Sequence, residues 1–368
     1  RQMCIRDSNI GVAMNIAVVT RNLSAGGAER VVVQLLDEWV KTNNCELILL
    51  DNCDDFYKVD SRVKITRIGQ KNNNPLLDKV SRYAMVRKKI MADNVDIVLS
   101  MPEEIGIYVI GAMLFTNLPI VVSERNNPYV MPYKKITRAL RKLLYPFAKG
   151  FIFQTQNAAN FFSDSIQKKS IVLSNPLDLS RIPSMHIGPK DKVIVSAGRF
   201  EKQKNFKLLI DAFSIFVRNH DDYKLIIYGE GSLRQELSDY ARLILGDGKF
   251  SFPGKNDDLL NQIKDCEVFV LSSDFEGSPN VLIEAMSMGM AVVSTDYAPG
   301  GVETIIDNNK NGLIVQSNNH EILASAITRL VEEKDLAERF RHEATEIRKQ
   351  FDSSIVSKQW LDYLRSMV

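Results

Sequence analysis

Short apolar runs alternate with amphipathic helical patterns along most of this chain, and the alternation stops once and then restarts. That rhythm excludes most architectures. A run such as Val268-Phe269-Val270-Leu271 has no polar alternation, so a strand built from it must be covered on both faces, as in a parallel sheet. Strands are expected near 15–20, 46–50, 64–68, 96–100, 119–123 and 150–154, with helices between most of them. The aperiodic stretch Ser180 to Lys190 follows Ser174-Asn175-Pro176 and reads as a linker. A second series runs near 192–197, 223–228, 249–252, 267–271 and 291–294. Two such series imply an α/β fold of two Rossmann-like, doubly wound parallel sheets facing a central cleft. The expected division is 14–185 and 186–353, followed by a terminal helix within 354–368 that carries Trp360, Tyr363 and Leu364 on one side.

At 368 residues the chain is too long for one typical core and suits two domains of this size. A hydrophobic share of 45% with 25% charged residues is that of a globular protein, and no apolar run reaches membrane-spanning length. Cys4, Cys45, Cys53 and Cys266 show neither C-x-x-C nor metal-site spacing. With no secretory signal, they read as reduced thiols of a cytoplasmic protein. Residues 1–13 read as a non-native leader: Arg1 to Ser8 has no periodicity, and Met3 to Ser8 resembles a translated sequencing-adapter remnant. Met14 is taken as the start.

Charge is unevenly divided. Residues 1–185 hold 25 Lys/Arg against 17 Asp/Glu, and residues 186–368 hold 22 against 28. Much of the excess lies in 131–150, where Lys134, Lys135, Arg138, Arg141, Lys142 and Lys149 face no acid and interleave with Leu140, Leu143, Leu144, Tyr145 and Phe147. A second basic helix around 79–91 adds Arg82, Arg87, Lys88 and Lys89. Both a solvated basic face and a surface resting on anionic lipid headgroups fit this pattern. Nucleic acid is not expected, because no recognised nucleic-acid fold pattern or stacking platform accompanies the cations.

The densest chemistry follows the 268–271 strand. In Phe275-Glu276-Gly277-Ser278-Pro279-Asn280, Ser278 is expected to cap a helix that starts at Pro279, whose missing N–H suits that position. The free amides of the first turn would then face the strand's C-terminal end as an anion site. Glu276 precedes that helix and Glu284 lies about one and a half turns into it. Carboxylates there would repel a phosphate, but they suit the neutral hydroxyl donors of a sugar.

These residues, with the next strand closing into Ala298-Pro299-Gly300-Gly301, resemble the nucleotide-sugar site of glycosyltransferase family 4, the retaining family with the GT-B fold. The resemblance covers nearly all of 14–368. It implies that Glu276 contacts the donor sugar and Glu284 the ribose, with Gly277, Ser278, Pro279 and Asn280 beside the donor. Gly198-Arg199 and Lys204 match the family's G-R-x-x-x-x-K element, whose cations would stabilise charge on a departing diphosphate. Gly229-Glu230-Gly231 matches its G-x-G turn and lacks the third glycine of a dinucleotide fingerprint. Gly26-Gly27, opening the first helix, resembles the acceptor-domain loop that approaches the donor diphosphate. The first domain would thus bind the acceptor, the second the donor, and the terminal helix would cross back onto the first.

One departure stands out. Many members carry a histidine after the strand equivalent to Ile120–Ser123, whereas here the loop reads Ser123-Glu124-Arg125-Asn126-Asn127-Pro128, and His186, His220, His320 and His342 lie elsewhere. Glu124, Arg125 and Asn126 are therefore assigned, by position, to the acceptor side. A front-face mechanism needs no enzyme nucleophile, because the leaving phosphate can accept the acceptor's proton. No D-x-D motif is present, so neither a metal nor another cofactor is expected. The implied activity is transfer of a hexose or N-acetylhexosamine from a UDP-sugar to a saccharide acceptor, lipid-linked in bacterial surface-polysaccharide or lipopolysaccharide assembly. A non-hydrolysing sugar-nucleotide epimerase and a silent nucleotide-sugar-binding subunit are the alternatives.

Overall fold

In a computed structural model, residues 12–24, 26–70, 73–297 and 300–368 are described. Residues 1–11 of the expected leader at 1–13, Ala25, and Ala298-Pro299 of the second glycine loop lie outside them. The first sheet comprises β1 (Asn15–Thr20), β2 (Asn44–Leu49), β3 (Lys64–Arg67), β4 (Ile97–Ser100), β5 (Ile120–Ser123), β6 (Gly150–Phe153) and β7 (Ser170–Val172). The second comprises β8 (Asp191–Ala197), β9 (Lys224–Tyr228), β10 (Phe250–Gly254), β11 (Cys266–Leu271), β12 (Ala291–Thr295) and β13 (Leu313–Val315). The sequence pattern misses only β7 and β13, edge strands of three residues, too short for any periodicity to register.

The strands lie in the orders β3-β2-β1-β4-β5-β6-β7 and β10-β9-β8-β11-β12-β13, and every pairing is parallel. Each order reverses at its first strand in sequence: β1 pairs with β2 and β4, and β8 with β9 and β11. The two loops at such a switch point leave in opposite directions, opening a crevice at the C-terminal ends of the strands. Helices cover both faces. Apolar clusters on one side of the first sheet gather Val32, Leu36 and Trp39, and on the other Val86, Ile90 and Ile110.

The chain crosses between the domains twice, side by side. Leu177 donates to the Phe351 carbonyl at 2.7 Å on the way out, and Ser353 donates to the Leu177 carbonyl at 2.9 Å on the way back. The returning helix, Ser353–Arg365, is capped by Asp352, whose carboxylate accepts from the Ser354 amide at 2.8 Å. It lies against helix Gly27–Trp39, with the Trp39 indole donating to the Ser357 carbonyl at 2.9 Å. Trp360 is fully buried and donates to the Ser174 carbonyl at 3.0 Å, and the Tyr363 hydroxyl donates to the Lys169 carbonyl at 2.8 Å. The last residues of the chain therefore complete the first domain's core. Trp360→Ala should lower unfolding free energy by about 3–5 kcal/mol, the usual cost of removing a large buried aromatic. Urea denaturation checks this, and an unchanged midpoint would show that the helix is dispensable.

Candidate active site

Both switch points open onto one cleft of about 840 Å³ between the sheets. On the second-domain wall, β8 runs out at Ala197 and leads into Gly198-Arg199. Gly229 (φ +137°) lies so close that a Cβ there would stand 1.9 Å from the Gly198 carbonyl oxygen, so only glycine lets these loops stack. Lys204 ends a short 3₁₀ turn, Lys202–Lys204, instead of opening the next helix. Asn205, at φ +43°, intervenes and caps helix Phe206–Phe216. The Lys204 ammonium stands 2.5 Å from Oε1 of Glu276, which also accepts from the Ser273 hydroxyl at 2.6 Å. Gln203 donates to the other oxygen at 3.3 Å and to the Phe275 carbonyl at 2.9 Å. Arg199 is exposed at the cleft edge and takes part in no ion pair among the described residues.

The helix beyond Glu276 spans Asn280–Ser287, one residue later than its sequence pattern suggests. Ser278 does not cap it. Pro279 is the N-cap, extended at φ −77° and ψ 96°, and its carbonyl accepts from the Leu282 and Ile283 amides at 3.1 and 3.3 Å. The Ser278 carbonyl instead accepts from Asn175 of the first domain at 3.3 Å. The amides of Asn280 and Val281 have no intrahelical acceptor and lie at the cleft wall. Gly277 is pressed against the other domain: a Cβ there would stand 2.0 Å from Oε1 of Gln154 and 2.5 Å from the Arg125 carbonyl oxygen. Glu284, 5% exposed, pairs across the cleft with Arg30.

On the first-domain wall, Gly26 is the N-cap of helix Gly27–Trp39, and the Gly27 carbonyl accepts from the Asn280 side chain at 3.2 Å. Burial raises the Glu29 carboxyl above its ordinary value, with Arg199 and Arg125 opposing that shift. Arg125 is buried beside Asn175, to whose oxygen its Nη2 donates, and burial pushes its guanidinium down to about 10. Its Nε and Nη1 have no partner among the described residues. Asn126 donates to the buried Glu103 carboxylate at 2.7 Å. Asn175 joins the walls, accepting from Gln154 at 3.0 Å and donating to Asn280. Arg30, Asn175 and Gln154 received no role from sequence. Arg30 was legible only as the cation after the glycine doublet, and the other two carry no local pattern.

Two assignments need correction. Glu124 does not reach the cleft: it is 2% exposed within the first domain, where the Tyr145 hydroxyl donates to it and Arg141 lies 3.8 Å away. As the residue after β5, it takes the next inward-pointing position, while Arg125 turns toward the cleft. Gly231 does not line the cleft either, because it packs on the backbone of Phe200. Gly26, Gly27, Gly198, Arg199, Lys204, Gly229, Glu276, Gly277, Ser278, Pro279, Asn280, Glu284, Arg125 and Asn126 all line it.

Residues 25–181 match the family model described as Glycosyltransferase Family 4, and residues 182–347 match that described as Glycosyl transferases group 1. The chain belongs to glycosyltransferase family 4 and is a glycosyltransferase with the GT-B fold. It is 27% identical over 355 residues to the GalNAc-alpha-(1->4)-GalNAc-alpha-(1->3)-diNAcBac-PP-undecaprenol alpha-1,4-N-acetyl-D-galactosaminyltransferase of Campylobacter jejuni, covering 95% of this chain and 97% of that one. It is 28% identical over 369 residues to the N-acetylgalactosamine-N,N'-diacetylbacillosaminyl-diphospho-undecaprenol 4-alpha-N-acetylgalactosaminyltransferase of the same organism, with coverage of 95% and 99%. Among solved structures, Anabaena HepE in complex with UDP superimposes with a TM-score of 0.80 at 18% identity, covering 96% of this chain and all of that one.

The buried acid behind the cleft sets a pH dependence. Burial pushes the Glu124 carboxyl up to about 8, with Glu103 adding to the shift and Arg141 and Tyr145 opposing it. The folded state thus favours the protonated acid. Its contribution to stability is complete below about pH 4.5, the ordinary value, and is lost as pH rises to about 8. Glu124→Gln should therefore flatten the fall in unfolding free energy across that interval. Urea titrations at several pH values check this, and parallel curves for the two proteins would sink it.

Proposed function

We propose that this glycosyltransferase moves a hexose or N-acetylhexosamine from a UDP-sugar to a lipid-linked saccharide, with retention of anomeric configuration and without a metal ion. One observation carries the reading. Arg199, Lys204, the open amides of Asn280 and Val281, and the carboxylates of Glu276 and Glu284 converge on a single cleft at two facing switch points. Cations and amides suit a diphosphate, and carboxylates suit the hydroxyls of sugar and ribose. In this scheme the bond from the anomeric carbon to the phosphate oxygen breaks as the acceptor oxygen bonds to that carbon from the same face. The acceptor's proton passes to the leaving phosphate. Arg199 and Lys204 neutralise the diphosphate charge, a part that a metal ion plays in other sites. The full-length similarity to two enzymes named for undecaprenol diphosphate-linked glycans supports a lipid-linked acceptor and a role in bacterial polysaccharide assembly. An epimerase or a silent subunit has no comparable support.

Arg199→Ala and Lys204→Ala should each lower turnover on the order of a hundredfold, as loss of a preorganised charge-stabilising group does. The assay is transfer from a panel of UDP-sugars, after identifying those that raise the melting temperature. Near-normal turnover in either variant removes its assigned role.

A lipid acceptor also gives meaning to helix Lys135–Leu144. Ile136, Leu140, Leu143 and Phe147 recur at helical spacing and are 70, 37, 64 and 63% exposed, flanked by Lys134, Lys135, Lys142 and Lys149. An apolar stripe with cations at its margins fits the headgroup region of an anionic membrane, so the proposed location is peripheral, on the cytoplasmic face. Arg141 is no part of that surface. It is 4% exposed, donates to the Met131 and Pro128 carbonyls, and lies over Phe161 and Phe162. Among the described residues no helix is long and apolar enough to cross a membrane. The protein should float with anionic vesicles at low salt and be released as salt shortens the screening length to about 10 Å at 0.1 M. Replacing the four lysines with Gln should abolish flotation and spare activity on a short soluble acceptor. Protein that stays at the bottom of a low-salt gradient excludes the membrane reading.

A further inference from the structure

The carboxylate proposed to hold the nucleotide ribose is not held by its own domain. Glu284 lies on the donor-side helix Asn280–Ser287, yet its Oε1 accepts from Arg30, on helix Gly27–Trp39 of the opposite domain. The Arg30 side chain is 22% exposed and that of Glu284 is 7% exposed, so neither is freely solvated. Among the described residues Arg30 has no other ion pair with a carboxylate. Burial holds its guanidinium below the ordinary value, with nearby Tyr57 and Asp178 opposing that shift and Arg181, a like charge, adding to it. Both residues line the same cleft. Glu284 Oε2 makes no hydrogen bond to the described residues, so one oxygen of the carboxylate is anchored and the other is open to a ligand.

Resting on the proposed nucleotide-sugar reading, we infer that Arg30 is a positioning residue for donor binding. It fixes the rotamer and ionised state of Glu284 and makes the nucleoside subsite depend on contact between the two domains. The physical basis is the cost of an unpaired carboxylate. A buried charge that loses its only cation must reorient toward water or take up a proton, and either change removes the acceptor that the ribose hydroxyls need. Arg30 need not touch the ligand to matter. The nearby Asn280-to-Gly27 hydrogen bond of 3.2 Å closes the same seam but is neutral, so it cannot substitute for the lost charge.

A double-mutant cycle read by calorimetry with UDP tests this. Arg30→Ala and Glu284→Ala should each weaken UDP by about tenfold or more, and the double variant should bind no worse than Glu284→Ala alone, since Arg30 acts only through that carboxylate. Arg30→Lys should recover part of the affinity by returning the positive charge without the planar fork. In steady state the Arg30→Ala defect should appear mainly in the KM for the donor, a split that a general loss of folding would not produce. If Glu284→Ala weakens UDP while Arg30→Ala binds it normally, the inference fails and the nucleotide reading stands. Additive losses in the double variant overturn it equally. If Glu284→Ala leaves UDP binding intact, the ribose assignment itself is overturned.

Discussion

A parallel sheet covered by helices on both faces has no solvent-facing surface, so polar chemistry can sit only where its strands end. The central strands of this chain follow that constraint. From Ile16 to Thr20 and from Cys266 to Leu271 every position is buried. The change from apolar to polar falls at the C-terminal edge, at Thr20, Ser100, Ser123, Ser196, Ser272 and Thr295, all buried. Beyond that edge lie Arg125, Arg199, Lys204 and Glu276. With two such sheets arranged edge to edge, the cleft between them collects most of the candidate functional groups.

That cleft is electrostatically self-compensated before any ligand arrives. Lys204 pairs with Glu276 and Arg30 with Glu284, and each pair is largely withdrawn from water. Pairs of this kind add little net stability, since desolvation offsets most of their attraction, but removing one partner strands the other. In the proposed reaction the Lys204–Glu276 pair suits exchange, with a diphosphate taking over the cation and sugar hydroxyls the carboxylate, while Arg30 keeps its hold on one oxygen of Glu284. The Lys204–Glu276 pair lies within the second domain, whereas Arg30–Glu284 spans the two. The second therefore ties the proposed nucleoside end of the cleft to the geometry between domains.

The exposed face of helix Lys135–Leu144 stands apart from this chemistry, and its exposure follows from packing. One cation of the cluster, Arg141, is drawn inward against two phenylalanine rings and two carbonyls, which ties the helix to the loop before it and to Phe161 and Phe162. The remaining lysines and the apolar stripe are left facing out. A sequence count of six cations treats them alike, whereas packing turns Arg141 inward, ties Arg138 to the Pro132 and Val130 carbonyls and leaves four lysines on the surface.

Much was legible in the sequence because it is carried by local, periodic signals. The continuous apolar strands, the restart after the linker, the glycine doublet and the E-x7-E segment each follow from neighbours in the chain. Those signals supplied the two-sheet α/β architecture, and the resemblance to glycosyltransferase family 4 brought out Arg199, Lys204, Glu276 and Glu284. They could not say that Glu124 turns inward while Arg125 turns toward the cleft, because the two are adjacent and only the register of β5 separates them. Nor could they show that Gly231 packs under Phe200, or that Ser278 gives its carbonyl to Asn175 and leaves the cap to Pro279. Least legible was the pairing of Arg30 with Glu284, 254 positions apart. Local pattern decides which residues reach a sheet edge, but which of them meet depends on how two separately built domains face each other, and that is settled only by tertiary packing.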